Sequence, residues 1–256
     1  MTMPYYEIEL FILIFARITA ILVILPVFGA PSIPAIAKIG LGVCMSVLFV
    51  AVYSGTQILL PKEVFPLLMT LAKEILVGLA IGFIGTLLFA GIQLAGELIA
   101  MQMGFTIANA IDPQTQQNLS LIAHFKNLIA TMIFLLINGH IFLLSGIKKS
   151  FDIIPLMGAS FPKGLGNFMI DMTSGIFIAS VKIGAPMIAA LLLTSVALGI
   201  AARVMPQMNV FFVGLPLKIG FGFFMIALSL PIFVYVFRNL YVEFQHNYAT
   251  IIQLFH

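Results

Sequence analysis

ELIAMQMGFTIANAIDPQTQQNLS, residues 97–120, separates two apolar runs, Ile75–Gly96 and Asn127–Ile147, each long enough to span a bilayer. The stretch opens Met-rich and small-residued, breaks at Gly104-Phe105 and breaks again at Asp112-Pro113. It then becomes the most polar passage of the chain, with Gln114, Thr115, Gln116, Gln117 and Asn118 in succession. Asp112-Pro113 stops a helix, because the proline ring disfavours the α region for the residue before it. Irregular backbone at membrane depth survives only where protein or a water-filled cavity satisfies its polar groups. The stretch therefore predicts a loop that lines or plugs a passage.

Composition sets the fold class. The chain is 62% hydrophobic and 8% charged, with mean hydropathy +1.18, whereas soluble domains carry about a quarter charged residues. Continuous apolar runs, rather than runs alternating with period two, predict an all-α integral membrane protein and not a barrel. Too little lies between the runs for a separate soluble domain. Met1–Glu9 has Glu7 and Glu9 but no Lys or Arg, so it lacks the basic region of a secretory signal and reads as mature sequence. Cys44 stands alone in an apolar run and is expected to be a small buried hydrophobe. A net charge of +3 without a basic block argues against nucleic acid as a partner. The chain has no nucleotide loop, zincin motif, cysteine cluster or nucleophile elbow, so neither an enzyme nor a bound cofactor or metal is expected.

Outward from the central stretch, about six hydrophobic spans are expected at roughly 20 residues per crossing: Ile8–Phe28, Ile36–Leu60, Phe65–Gly96, Leu121–Ile147, Met172–Ala202 and Leu217–Phe237. Several are broken or re-entrant. Gly78, Gly82, Gly85, Gly91 and Gly96 put small residues at close helical spacings, which lets neighbouring backbones approach. Ser150–Asp171 is a mixed connection and Tyr241–His256 a short amphipathic tail. The hairpin from Arg203 to Lys218 carries two basic residues and no acid, which favours the cytoplasmic side.

That hairpin is the second informative stretch. Pro206, Gln207, Asn209 and Pro216 sit among Phe211, Phe212 and Val213. One reading is a tight turn with Arg203 and Lys218 reaching the interface. The other is a docking surface, because large apolar side chains outside a helix would leave their backbone unsatisfied. Arg17, Lys73, Glu74, Glu97, Lys126 and Lys182 lie in or beside apolar runs, where a charge costs several kcal/mol unless it faces protein or water. Lys73 and Glu74 are adjacent, point to different helix faces and cannot neutralise each other, so each needs a partner elsewhere. Subunit contacts are expected for Arg17, Lys73, Glu74 and Glu97. His140, within Asn138-Gly139-His140, and His124 read as structural histidines, with no second ligand near them in sequence. Met101 and Met103, like Met205 and Met208, suit either an adaptable seal or gap-filling between helices.

Gln102-Met-Gly-Phe, Asp112-Pro, Asn138-Gly-His140 and above all Arg203-x-x-Pro-Gln-Met-Asn-Val-Phe…Gly-Leu-Pro-Leu-Lys218 resemble the FliR family, export-gate subunits of the bacterial flagellar type III secretion apparatus. The resemblance covers essentially the whole chain. It implies a fold in which a P-like N-terminal part, residues 1–160 with a plug loop at about 104–120, is fused to a Q-like C-terminal helical hairpin and tail, residues 161–256. It also implies one copy of this chain in a hetero-oligomer with P-type and Q-type subunits, at the inner membrane of the flagellar basal body. A B-type switch subunit would lie near the Arg203–Lys218 hairpin, with unfolded flagellar export substrates in transit and membrane lipids around the assembly. Met101, Met103, Phe105, Asp112, Pro113, Gln114, Gln116, Gln117 and Asn118 would then form the plug. Arg203, Pro206, Gln207, Asn209, Phe211, Phe212 and Lys218 would form the docking hairpin.

Three other readings remain at this point, one of them a purely structural membrane scaffold, which would leave the polar loop without purpose and tolerant of mutation. The T-type counterpart of virulence injectisomes shares the resemblance. A small-solute secondary transporter fits broken helices and intramembrane charges too, but would call for two halves with matching interruptions, and no convincing repeat is present.

Overall fold

The computed structural model describes residues 3–53, 63–105, 120–207 and 209–255. Among these the chain is helical throughout its regular structure, as α1 (Met3–Ile24), α2 (Ala35–Tyr53), α3 (Val64–Met103), α4 (Leu121–Leu136), α5 (Gly139–Ile153), α6 (Leu165–Val204) and α7 (Val210–Leu254). The all-α membrane class is therefore borne out. Among the described residues four helices are long and apolar enough to cross a membrane: α2, α3, α6 and, from Phe212, α7. The pair α4 and α5, bent by 68°, makes a fifth if it is one broken span. The expected six included α1, in which Glu7, Glu9 and Arg17 fall within one bilayer's length of each other.

Helix lengths depart from the sequence reading in an informative way. At 1.5 Å per residue, α3 and α6, with 40 residues each, run about 60 Å, twice the roughly 30 Å of hydrocarbon in a bilayer. α6 begins at Leu165 rather than near Met172, since Asp171 is exposed on its surface. α7 begins at Val210 and continues through Pro216 and Pro231 for 45 residues, absorbing the tail expected to be separate. The prolines are tolerated because the long helix around them keeps its remaining hydrogen bonds.

The chain folds as two compact units. The first comprises residues 1–87, 135–172 and 243–256, the second residues 88–134 and 173–242. In the first, α1 buries Leu10, Leu13, Ile14, Ile18, Ile21 and Leu25, spaced three and four apart so that they form one stripe. The stripe packs on α3 at the glycines. A Cβ at Gly78 would come within 2.7 Å of Arg17 O, and one at Gly82 within 3.1 Å of Ile21 O. The two helices run parallel, Arg17 beside Gly78 and Leu25 beside Gly85. α2 lies against α1, with Gly42 beside Thr19 and Phe15. The end of α7 closes this unit: Tyr248 lies against Gly146, Phe142 meets Phe244 and Tyr248 edge-on, and Phe255 O accepts hydrogen bonds from Ser160 N–H (3.2 Å) and Oγ–H (3.1 Å).

In the second unit α3 and α4 run antiparallel, since Gly96 meets Ala123 and Phe89 meets Phe134. α6 runs with α3, pairing Ile176 with Gly91 and Met187 with the Ile99–Met103 turn. α7 runs against them, placing Gly222 on Met103, Ser229 on Met187 and Tyr241 on Phe134. Ile99, Ala100, Met103, Ile122, Met187, Leu191 and Ile226 form its core.

Candidate functional site

The helix order of the second unit brings two turns to one end. α3 stops at Met103 because Gly104 adopts φ 92°, a left-handed conformation that glycine takes at no steric cost. α4 restarts at Leu121 with Ser120 as its cap, Oγ accepting the N–H of Ala123 at 3.3 Å. Gly104 and Ser120, which flank residues 106–119, thus both lie at the α3–α4 hairpin tip. Met103 is wholly buried, Phe105 packs beside the core and meets Phe223 edge-on at 6.5 Å, and Met101 is exposed. Asp112, Pro113, Gln114, Gln116, Gln117 and Asn118 lie outside the described residues.

At the same end the α6–α7 hairpin extends further. Leu191 and Gly222 are level with Met103, and Leu192–Val204 continues beyond for about 20 Å at helical rise. The turn at its tip is short. Arg203, Pro206, Gln207 and Asn209 are exposed, and Lys218 is half-buried. Asn209 caps α7, its Oδ1 accepting the N–H of Phe212 at 3.4 Å. Phe212 is 75% exposed, but it stands in the first turn of a helix, where Asn209 accepts its N–H. The Phe211 side chain and Met208 lie outside the described residues.

The charges sort into three environments. Arg17 and Glu74 are buried completely in the first unit and paired to each other, Arg17 Nε donating to Glu74 Oε2 at 2.5 Å. Arg17 Nη1 donates to Ser150 O (3.1 Å) and Ile154 O (2.8 Å), and Glu74 Oε1 accepts the N–H of Met157 at 3.0 Å. Lys73 points outward, as adjacency to Glu74 on a helix requires. Glu97 is half-buried and accepts from Gln93 Nε2 at 3.2 Å. Lys126 is buried in the second unit with its Nζ 4.9 Å from the Phe233 ring centroid and without a hydrogen-bond partner. His124 is exposed and His140 half-buried. Cys44 is exposed, contrary to the buried position expected, because the rest of the chain covers little of α2. Among the described residues no three His, Cys, Asp or Glu side chains gather as metal ligands would. Ser150, Ile154 and Met157 gave no sign in sequence of their part in the Arg17 cluster, since two of them act through carbonyls and the third through its N–H.

The family described as bacterial export proteins, family 1, matches residues 8–244. The chain belongs to this family. Flagellar biosynthetic protein FliR of Bacillus subtilis (strain 168) is 38% identical over 249 residues, covering 94% of this chain and 95% of the relative. The protein of that name in Aquifex aeolicus (strain VF5) is 32% identical over 248 residues, covering 95% and 94%. The Escherichia coli (strain K12) relative is 30% identical over 236 residues, covering 92% and 90%. Membership of the FliR family, expected from the hairpin and loop motifs, is thereby established along nearly the entire chain.

Proposed function

We propose that this chain forms and seals part of the channel through which unfolded flagellar proteins cross the inner membrane. It is a subunit of the flagellar type III export apparatus, as its family and its full-length flagellar relatives indicate, and a multi-pass protein of the inner membrane. It works with other subunits of that apparatus. Our finer reading gives it P-type and Q-type neighbours, with residues 1–160 P-like and 161–256 Q-like by kinship rather than by compactness. A B-type subunit docks at the Arg203–Lys218 hairpin, and the chain is a passive gate rather than an enzyme, with the driving energy supplied elsewhere. Exposed Lys73 and half-buried Glu97 meet neighbouring subunits.

The observation that carries the gate reading is the fixing of both ends of the 104–120 loop at one hairpin tip, by Gly104 and the Ser120 cap. The gate reading assigns the sealing to the amide side chains of Gln114, Gln116, Gln117 and Asn118, whose hydrogen bonds would yield to a passing chain of any sequence.

Deletion of Pro113–Asn118 in cells tests this. Leakage of ions with the export complex still assembled is the expected result. An intact permeability barrier with normal export would leave the loop a connector and overturn the plug assignment.

A further inference from the structure

Arg17 and Glu74 hold more than each other. The Arg17 guanidinium reaches Ile154 O and Ser150 O, the latter also accepting Ile154 N–H at 3.0 Å, at the end of α5, where the helix dipole favours a cation. Its face lies 4.5 Å from the Phe151 ring centroid. The second Glu74 oxygen takes the N–H of Met157. Met157 adopts φ 67°, a left-handed backbone that a side-chain-bearing residue keeps only when its surroundings over-determine it. The chain then turns, Gly158 N–H donating to Pro155 O at 3.0 Å, and heads toward α6. A buried ion pair is rarely better for stability than two well-packed apolar side chains. What this one supplies is a set of directed bonds that apolar groups cannot copy.

We propose that Arg17 and Glu74 form a latch that holds the reversal Ile154–Gly158 and fixes where α6 begins, which makes them positioning residues for export. Only the export readout rests on the function proposed above. The latch draws α1, α3 and the end of α5 onto one point from segments more than fifty residues apart in sequence.

The test uses thiol reactivity in the full-length protein, with the exposed Cys44 first replaced (Cys44→Ala). A reporter is placed by Ala159→Cys, at a position 8% exposed just past the reversal, and a control by Ala95→Cys, at a fully buried position in the second unit. Arg17→Lys keeps the charge but loses the grip on two carbonyls, Glu74→Gln weakens the charge-assisted bonds, and Arg17→Met with Glu74→Met removes both charges together. In each background maleimide labelling at 159 is expected to accelerate roughly tenfold or more, as loss of charge-assisted hydrogen bonds implies, with position 95 unchanged. Swimming is expected to fall while protein amount holds. Labelling that rises equally at both positions would show a pair that merely supports the fold, and labelling that rises at neither would show no latch. Undiminished swimming with position 159 open would overturn the positioning role. The export reading fails separately, if deletion of the whole chain leaves flagella assembled.

Discussion

Lys126 shows how a single residue can sit against the usual balance of burial. Its ammonium is out of water, has no hydrogen-bond partner and is offset only by the face of Phe233. A cation over a desolvated ring gains about 2 kcal/mol, less than burial of an unpaired charge costs. Lys126→Met, which keeps the length and loses the charge, should therefore raise thermal stability of the purified protein by about 1–2 kcal/mol. A lower melting temperature would mean that an acidic group reaches Lys126 in solution. Tyr248 makes the complementary case: its hydroxyl is buried and unpartnered while its ring packs on Gly146. Tyr248→Phe should be neutral within about 0.5 kcal/mol, whereas Gly146→Ala should cost several times that, because the added methyl overlaps the ring. Urea or thermal unfolding of the two variants side by side would check the contrast. At this scale the sequence was half legible. Adjacent Lys73 and Glu74 announced that Glu74 needed a distant partner. Which cation answered it depends on α1 and α3 running parallel in one register, and no local pattern encodes that.

The elements were legible where backbone chemistry is local. Gly104 ends α3 and Asn138, at φ 58°, breaks α4 from α5, both at positions that the residue types single out. Boundaries set by tertiary packing were not. α7 runs through two prolines because its neighbours and its own length compensate for the lost bonds, and α6 gains about two turns before Met172. The close approach of α3 to α4 gives a prediction at this scale. A Cβ at Gly96 would overlap the Cα of Ala123, and backbone cannot yield as a flexible side chain can. Gly96→Ala should thus cost about 2 kcal/mol or more through overpacking, splaying the hairpin that carries the polar loop. Gly199→Ala, on α6 with nothing within 4 Å of the added methyl, should stabilise the isolated chain by about 0.5–1 kcal/mol through helix propensity. If both changes proved equal in chemical unfolding, the α3–α4 crossing would be looser than its geometry requires.

For the whole molecule the question is which parts of helices twice as long as the bilayer is thick lie in lipid. Burial and charge answer it together. The most apolar stretch of α3 is 61% buried inside the protein, against 28% for α6 and 22% for α7, so α3 serves the core while α6 and α7 turn most of their apolar surface outward. No charge interrupts Ile183–Ala202 on α6 or Ile219–Phe237 on α7, and each run is close to the roughly 20 residues a crossing needs. The helices are antiparallel, so Lys182 and Arg238 bound these runs at one end and Arg203 and Lys218 at the other, each cation where it can reach an interface. Two independent runs thus define one slab. It follows that, in the protein reconstituted into bilayers with Cys44→Ala, thiols introduced by Val196→Cys and Leu228→Cys should resist a membrane-impermeant maleimide. Thiols from Phe177→Cys and Val242→Cys should react, since all four positions are 60–63% exposed in the chain itself and only lipid distinguishes them. Uniform reactivity would place the α6–α7 hairpin in water, and its apolar surface would then have to be covered by other subunits along its full length.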